Sequence, residues 1–215
     1  MWRTACLSLM TALLAYAAGA WLTQDFQVWT AEGARRLAVA RSPVPAPDIA
    51  MHGPDIGATL LPALLAADGA VTIVDFVYTR CQALCLTLGG SFQRMQSALE
   101  ADARDGVAGA RGVQLLSISF DPVHDTPAEL SAHAARLGAD PRWWRFATPT
   151  PAEALSTLLE RFEVVVIPDG MGGYEHNAAL LVMDGHGRLV RIFDAAETDA
   201  ALAFARYLAA RGTAG

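Results

Sequence analysis

A run of residues from Val71 to Thr79 is apolar, β-branched or aromatic except at Asp75, and two cysteines, Cys81 and Cys85, follow shortly after it. Such a run predicts a strand covered on both faces, at the centre of a sheet. Apolar residues then recur at spacings of three and four, which predicts a helix from about Leu84 to Ala103. A helix start stabilises thiolates through its unpaired N–H groups and its dipole. Residues four apart share a helix face, so both sulfurs can bind one ion or form a disulfide.

Strand-like and helix-like blocks alternate through the rest of the chain. The order β–α–β–α, then a helix, a β-hairpin and a closing helix, is typical of the thioredoxin arrangement. We expect an α/β fold, with a thioredoxin-like central sheet flanked by helices, over residues 50–215. The predicted strands are 113–120, 144–147, 179–183 and 188–193, and capping signals predict helices that begin at Thr126 and Thr150, before a last helix over 197–210.

The N-terminal segment is apolar, and residues 5–22 carry no charge. A membrane-spanning helix needs about 20 apolar residues, whereas the apolar region of a cleaved signal is about 7–15 residues long. We expect a transmembrane anchor over residues 1–23 and a linker over 24–49, with cleavage at the small residues 17–20 as the alternative. Because Arg3 is expected on the cytoplasmic side, the domain would face the periplasm from a bacterial inner membrane.

The charge of the chain argues against nucleic acid as a partner. It has 16 basic and 22 acidic side chains, a formal net charge of −6, and no basic run that could follow a phosphate backbone. We therefore expect no nucleic-acid partner.

At 215 residues the chain is long enough for one domain with a full hydrophobic core.

The chain has five histidines that could join the cysteines. Two thiolates and one imidazole would form an S₂N site suited to monovalent copper, whereas structural zinc wants four ligands. His176 is the strongest candidate because it precedes an apolar strand whose entry loop faces the dithiol in thioredoxin-type folds. His124 follows the second strand, near the carboxyl ends of parallel strands where active sites gather, and is the weaker alternative. We interpret His52, His133 and His186 as bystanders, with His133 partly exposed on a helix.

Three motifs carry a resemblance to a known family: Cys-Gln-Ala-Leu-Cys at 81–85, Ser-Ile-Ser-Phe-Asp-Pro-Val-His-Asp-Thr-Pro at 117–127, and Tyr-Glu-His-Asn at 174–177. Over about residues 50–210 the domain resembles the Sco/SenC family, membrane-anchored copper proteins that help to assemble the dicopper CuA centre of cytochrome c oxidase. The resemblance implies a copper ion held by Cys81, Cys85 and His176. It also implies transfer to cytochrome c oxidase subunit II or another copper-accepting protein.

The motifs depart from the family pattern at several positions. The family commonly has proline after each cysteine, but Gln82 and Leu86 stand there. Proline would fix φ near −65°, so the loop with Gln82 and Leu86 is less restricted. We therefore expect its copper affinity or redox potential to differ from that of typical family members. Glu175 replaces a common aspartate before the histidine, and we expect it to orient the imidazole ring. Asp121 and Asp125 match acidic positions of the family, and Asp125 is interpreted as a helix-start residue.

Two functions from different classes fit these residues. The first is a copper metallochaperone that uses both cysteines and His176. The second is a membrane-anchored thiol–disulfide oxidoreductase that reduces the cysteines of a copper-site partner, which needs Cys81 and Cys85 as a redox pair but not the histidine. Residues 76–81 also suggest peroxide reduction. This is a weaker hypothesis, because the proline-led loop that usually carries a peroxidatic cysteine is missing.

Overall fold

The computed structural model describes residues 2–80, 84–107, 109–170 and 173–212, with the backbone alone at 84–88. The chain forms two compact units, Met1–Ser42 and Pro43–Gly215. Within the described residues the strands are β1 Val44–Pro45, β2 Ala50–Gly53, β3 Ile56–Leu60, β4 Val71–Val77, β5 Val113–Ser119, β6 Trp144–Pro149, β7 Val166–Pro168, β8 Tyr174–His176, β9 Ala179–Met183 and β10 Arg188–Asp194. The α-helices in the same part of the chain are α1 Trp2–Leu22, α2 Ala31–Arg41, α3 Leu61–Leu65, α4 Leu84–Arg104, α5 Pro127–Leu137, α6 Ala154–Arg161 and α7 Thr198–Gly212.

The first unit contains α1 and α2. Helix α1 is long and apolar enough to cross a membrane, with a mean hydropathy of 1.7, although a signal sequence near the N-terminus meets the same criterion. Helix α2 lies inside the segment expected to be a linker. It begins after Thr30, whose hydroxyl accepts a hydrogen bond from the Gly33 amide, and Glu32 and Arg41 match the helix dipole at its two ends. These local signals favour a helix in this segment.

The second unit is built on one eight-stranded sheet in the order β1-β10-β9-β4-β5-β6-β2-β3. Strands β4, β5 and β6 are parallel neighbours, and β9 pairs with β4 in the antiparallel direction. Every residue of β4 is buried, as expected for a strand between two neighbours and covered on both faces. The predicted mixed α/β fold, with a central sheet flanked by helices, is confirmed.

The core forms where α4 and α7 pack against the sheet. Residues at helical spacing on α4 are almost completely buried, which confirms the amphipathic pattern of the sequence. Small alanines on α7 join the same cluster and allow close packing. The cluster includes Ile73, Leu115 and Trp144 from the sheet, Phe92, Met95 and Leu99 from α4, and Ala201 and Ala205 from α7.

The two predicted helix caps have different outcomes. Thr126 caps α5, because its hydroxyl accepts a hydrogen bond from the Glu129 amide and Pro127 occupies the first turn. The cap predicted at Thr150 is wrong, since α6 begins only at Ala154. The Thr150 amide instead donates to the Ala50 carbonyl, so this threonine continues the pairing at the sheet edge.

Two hairpins were missing from the sequence prediction. The β2–β3 hairpin extends the sheet beyond β6, and the β7–β8 hairpin forms a separate two-stranded sheet that carries His176. Gly53 on β2 crosses closely over β6, because a Cβ atom there would lie 2.0 Å from the carbonyl oxygen of Phe146. A residue with any side chain therefore forces the two strands apart.

We expect Gly53→Ala to lower the free energy of unfolding by about 1–3 kcal/mol or more, because the added methyl overpacks the contact between β2 and β6. Urea unfolding followed by circular dichroism measures this loss. Gly57→Ala on β3 is the matched control, since a Cβ atom there meets nothing within 4 Å. Equal stability of the two variants would contradict the close crossing.

Candidate metal centre

The candidate site lies where the chain leaves the carboxyl ends of β4 and β5. Residues Tyr78 to Arg80 lead from β4 to Cys81, which with Gln82 lies outside the described residues. The backbone of Cys85 is in the first turn of α4, while its side chain and that of Leu86 are also outside the described part. The structure thus describes strand β4 before the cysteine motif and helix α4 at its end, the two elements between which the motif was predicted.

Asp125 clamps the segment that leads to Cys81. Its carboxylate accepts hydrogen bonds from the Thr79 amide at 3.0 Å, the Thr79 hydroxyl at 2.6 Å and the Ser119 hydroxyl at 2.6 Å. The side chain is 0% exposed. The interpretation of Asp125 as a helix-start residue is wrong, since Thr126 caps the helix and Asp125 reaches across to the neighbouring strand end. Short-range sequence patterns do not reveal this contact, because it joins residues that are far apart in the chain.

We expect Asp125→Ala to lower the free energy of unfolding by about 2–4 kcal/mol, because it leaves the buried Ser119 hydroxyl and the two half-buried donors of Thr79 without an acceptor. Urea unfolding measures the change. Asp105→Ala removes an exposed carboxylate after α4 and serves as the control. A loss below about 0.5 kcal/mol in Asp125→Ala, the usual size for a surface change, would contradict the clamp.

A second carboxylate, Asp121, holds two groups beside the same segment. Its Oδ2 accepts a hydrogen bond from Arg80 at 2.7 Å, and its Oδ1 lies 2.8 Å from Nδ1 of His124. Burial opposes ionisation of Asp121, but the hydrogen bonds from His124 and Arg80 outweigh it and lower the pKa of the carboxyl. Sequence reasoning named Asp121 and His124 separately. Their spacing of three residues in a turn is the local signal that could have joined them.

His176 sits on β8, opposite Val166 of β7. Its ring packs against Phe120 at a centroid distance of 5.1 Å, and Tyr78 and Tyr174 complete an aromatic cluster around Phe120. Both ring nitrogens are buried and have no hydrogen-bond partner among the described residues. Burial lowers the pKa of His176, which favours the neutral imidazole that metal ions bind.

Glu175 does not orient this ring, so that prediction is wrong. Neighbouring residues of a strand point to opposite faces, and Glu175 is exposed opposite Ile167 while the His176 ring is turned inward. Asn177 instead ties the hairpin down. Its side-chain oxygen accepts from the Val165 amide at 2.7 Å, and its side-chain nitrogen donates to the carbonyl of Glu163 at 3.1 Å.

His133 also differs from expectation, because it is only 8% exposed on α5. Its ring stands edge-on to Phe146, and burial together with the nearby charge of Arg136 lowers its pKa. The interpretation of His133 as partly exposed is therefore wrong, because its ring packs into the β6 side of the core.

The two orphaned nitrogens of His176 fit a metal ligand, since burying them without a partner carries a free-energy cost that a bound ion offsets. Within the described residues, no three His, Cys, Asp or Glu side chains come together to hold a metal. Because Cys81 and the Cys85 side chain lie outside that part, the set of Cys81, Cys85 and His176 stays a prediction.

Asp75, in the middle of β4, is a buried carboxyl group that the sequence prediction did not single out. It pairs with Ser117 on β5, and its Oδ1 has no partner among the described residues. Burial raises its pKa to about 7, against a smaller opposing effect of the Ser117 hydrogen bond. Ile73, on the same face of β4, packs in the cluster with Phe92 of α4. Asp75 thus lies under the helix that carries Cys85.

The raised pKa of Asp75 predicts that stability falls as pH rises from about 4 to about 7, since the folded state holds a proton that the unfolded state releases. The slope from this group is at most about 1.4 kcal/mol per pH unit. Urea unfolding of wild type and Asp75→Asn at pH 5 and pH 8 isolates the effect, because other groups titrate equally in both. Identical pH dependence in the two proteins would contradict it.

The family of the chain follows from one comparison. The family model described as SCO1/SenC matches residues 65–208. The chain belongs to the SCO1/SenC family. The resemblance found in the sequence motifs is confirmed, and residues 81–85 and His176 fall within the matched part of this SCO1/SenC chain.

Similar proteins support this family and its fold. A SCO1 protein homolog of Bacillus subtilis (strain 168) is 25% identical over 137 residues, 63% of this chain and 67% of that protein. The structure of Bradyrhizobium japonicum ScoI with copper bound is 24% identical, covers 76% of this chain and 99% of that one, and has a TM-score of 0.61. The structure of BsSco, described as having a disulfide switch and as belonging to the Sco family of cytochrome c oxidase assembly proteins, is 19% identical, covers 78% and 95%, and has a TM-score of 0.64. The SCO1/SenC chain therefore shares the fold of these structures.

Proposed function

We propose that this SCO1/SenC chain binds copper through Cys81, Cys85 and His176 and passes it to a copper-accepting protein such as cytochrome c oxidase subunit II. The observation that carries the proposal is His176, whose two buried ring nitrogens have no partner among the described residues. The copper in the related ScoI structure and the assembly role in the description of BsSco support the cargo and the class of partner.

The ligand set suits monovalent copper. Two thiolates are soft donors, and a neutral imidazole adds a third bond without adding charge. The lowered pKa of His176 supports this role, because the imidazole then binds copper near neutral pH with little competition from a proton. Three ligands leave a position open for a donor atom of the acceptor. Copper would then move by ligand exchange, with no change in its oxidation state.

A thiol–disulfide oxidoreductase is the second candidate. The disulfide switch of BsSco favours it, as does the place of the Cys85 backbone in the first turn of α4, since redox-active thiols commonly occur at helix starts. The reaction would oxidise Cys81 and Cys85 to a disulfide while it reduces a disulfide of the partner. His176 takes no part in that exchange, so its removal separates the two functions.

The apolar helix α1 supports a place at the membrane. We propose that residues 1–23 form the anchor and 24–49 the linker, with the domain at 50–215 facing the periplasm from a bacterial inner membrane. In this arrangement the copper site would work on the side of the membrane where disulfides persist.

Loss of a residue that only orients a metal ligand typically lowers metal affinity about 10–100-fold. We expect His176→Ala to weaken Cu(I) binding by more than this, because it removes a ligand itself. The full chain in detergent, reduced and titrated in competition with a Cu(I) chelator, gives the affinity. His186→Ala, in the exposed turn between β9 and β10, is the matched control. Unchanged affinity in His176→Ala would overturn the three-ligand site.

A reduction assay then separates the candidates. The substrate is an oxidised peptide that carries the two cysteines of a copper-accepting site. If the oxidoreductase function holds, His176→Ala reduces the peptide at the wild-type rate and Cys81→Ser does not. Failure of the wild-type protein to reduce the peptide would contradict the oxidoreductase function. It would not affect the copper-binding proposal, which the Cu(I) titration tests separately.

A further inference from the structure

We infer that the end of the sheet opposite the candidate metal centre binds the phosphate groups of anionic lipids, so that the domain rests on the membrane. The inference rests on the proposed membrane anchor and goes beyond the proposed copper function. It follows from one cavity, which we call the basic cavity, and from the place where the chain enters the domain. The basic cavity is lined by Glu100, Ala103, Arg104, Arg111, Arg142 and Trp143.

The charges of the basic cavity favour an anionic ligand. Among the described residues, three exposed guanidinium groups and one carboxylate, that of Glu100, line it. Asp140 forms an ion pair with Arg142. Arg104 and Arg111 have no hydrogen-bond or ion-pair partner in the part of the chain that the structure describes. Like charges that face one cavity repel each other, and an anion between them offsets this repulsion.

The groups that line the basic cavity suit a lipid phosphate. A guanidinium keeps its charge at any physiological pH, and its parallel N–H donors match two oxygens of a phosphate. The cavity volume of about 520 Å³ lies in the range of sites for small organic ligands, so it admits a phosphate together with its attached glycerol. Trp143 is half-buried and packs against the core. An indole ring is a common side chain at the level of lipid headgroups.

An exposed apolar side chain lies close to these arginines in the chain. Val107 is 49% exposed and stands between Arg104 and Arg111 in the sequence. Asp105 is the exposed acid of this segment, and it does not line the basic cavity. Surfaces that bind membranes combine basic groups with apolar side chains, which enter the boundary between headgroups and acyl chains. Val107 is placed to add such a contact.

The register of the sheet places the basic cavity at the end where the chain enters the domain. Strand β1, at the start of the second unit, pairs with Leu189 at the start of β10. Leu189 pairs with Met183, which pairs with Thr72 near the start of β4. Arg111 and Arg142 lie just before β5 and β6, which run parallel to β4. The entry of the chain and the basic cavity therefore share the end of the sheet where these strands begin.

The candidate metal centre lies at the other end of the same strands. β4 has seven residues, and a strand rises about 3.3 Å per residue, so its two ends are about 20 Å apart. An anchor joined to the domain through β1 holds the basic cavity near the bilayer and raises the effective concentration of headgroups around it. The chain has a net charge of −6, so an anionic surface repels much of the domain and attracts this cavity. Docking thus turns the metal centre away from the membrane.

Hydrogen exchange of the full chain in lipid nanodiscs tests the inference. One set of discs contains phosphatidylglycerol, and the other contains only neutral phosphatidylcholine. Each arginine near an anionic membrane surface favours the bound state about fivefold. We therefore expect the amides of residues 104–107 and 109–112 to exchange at least about fivefold more slowly in the anionic discs. High salt removes the difference because it screens the charges, and the amides of residues 123–124 after β5 exchange equally in both discs.

Arginine variants link this protection to the basic cavity. We expect Arg104→Gln to weaken docking about fivefold, and Arg104→Gln/Arg111→Gln to exchange at the same rate in both discs. Arg94→Gln is the matched control. It makes the same change at an exposed position of the same helix, about 15 Å before Arg104, and is expected to keep the protection. Full protection in the double variant would overturn the inference.

Two further comparisons separate the inference from its alternatives. Equal exchange of the wild type in both kinds of disc would overturn it. Inorganic phosphate added to neutral discs is expected to give no protection, and full protection there would overturn the lipid as ligand in favour of a free anion. If the chain does not co-elute with neutral discs, the proposed anchor fails and this inference fails with it. The copper function is unaffected, because the Cu(I) titration tests it separately.

Discussion

The contact between Asp125 and Thr79 is the constraint on which the rest of the site depends. The buried carboxylate of Asp125, in the loop after β5, accepts two hydrogen bonds from Thr79 in the segment that leaves β4. It accepts a third from Ser119 at the end of β5. Burying a polar group is costly unless it is hydrogen-bonded, so this side chain holds its partners in one arrangement. The two strand ends are thereby fixed to each other just before the chain reaches Cys81.

Asp121, four residues earlier in the same loop, acts on the outer side of this junction. Asp125 holds the backbone, while Asp121 holds the side chains of Arg80 and His124. The aromatic cluster closes the inner side, where His176 packs on Phe120. One short loop therefore supports a buried neutral imidazole and an exposed oriented one.

Local patterns predicted the elements that form without distant help. The buried run of β4, the spacing on α4 and the Thr126 cap were correct, because burial periodicity and capping are written within a few neighbouring residues. The prediction of a helix cap at Thr150 was wrong because the Thr150 amide donates a hydrogen bond to the carbonyl of Ala50, which is far away in the chain. The β7–β8 hairpin was missed for a similar reason. Its strands are three residues long and too short to show a period.

The sequence by itself determined the family, the central strand, the helix that follows it and the candidate residues Cys81, Cys85 and His176, because covalent order and side-chain chemistry are properties of the chain alone. Only the tertiary structure decided that both nitrogens of His176 are buried without a partner in the described residues, that Asp125 grips Thr79 and that Asp121 orients His124. Hydrogen bonding and burial depend on which distant segments meet, and no local spacing encodes that.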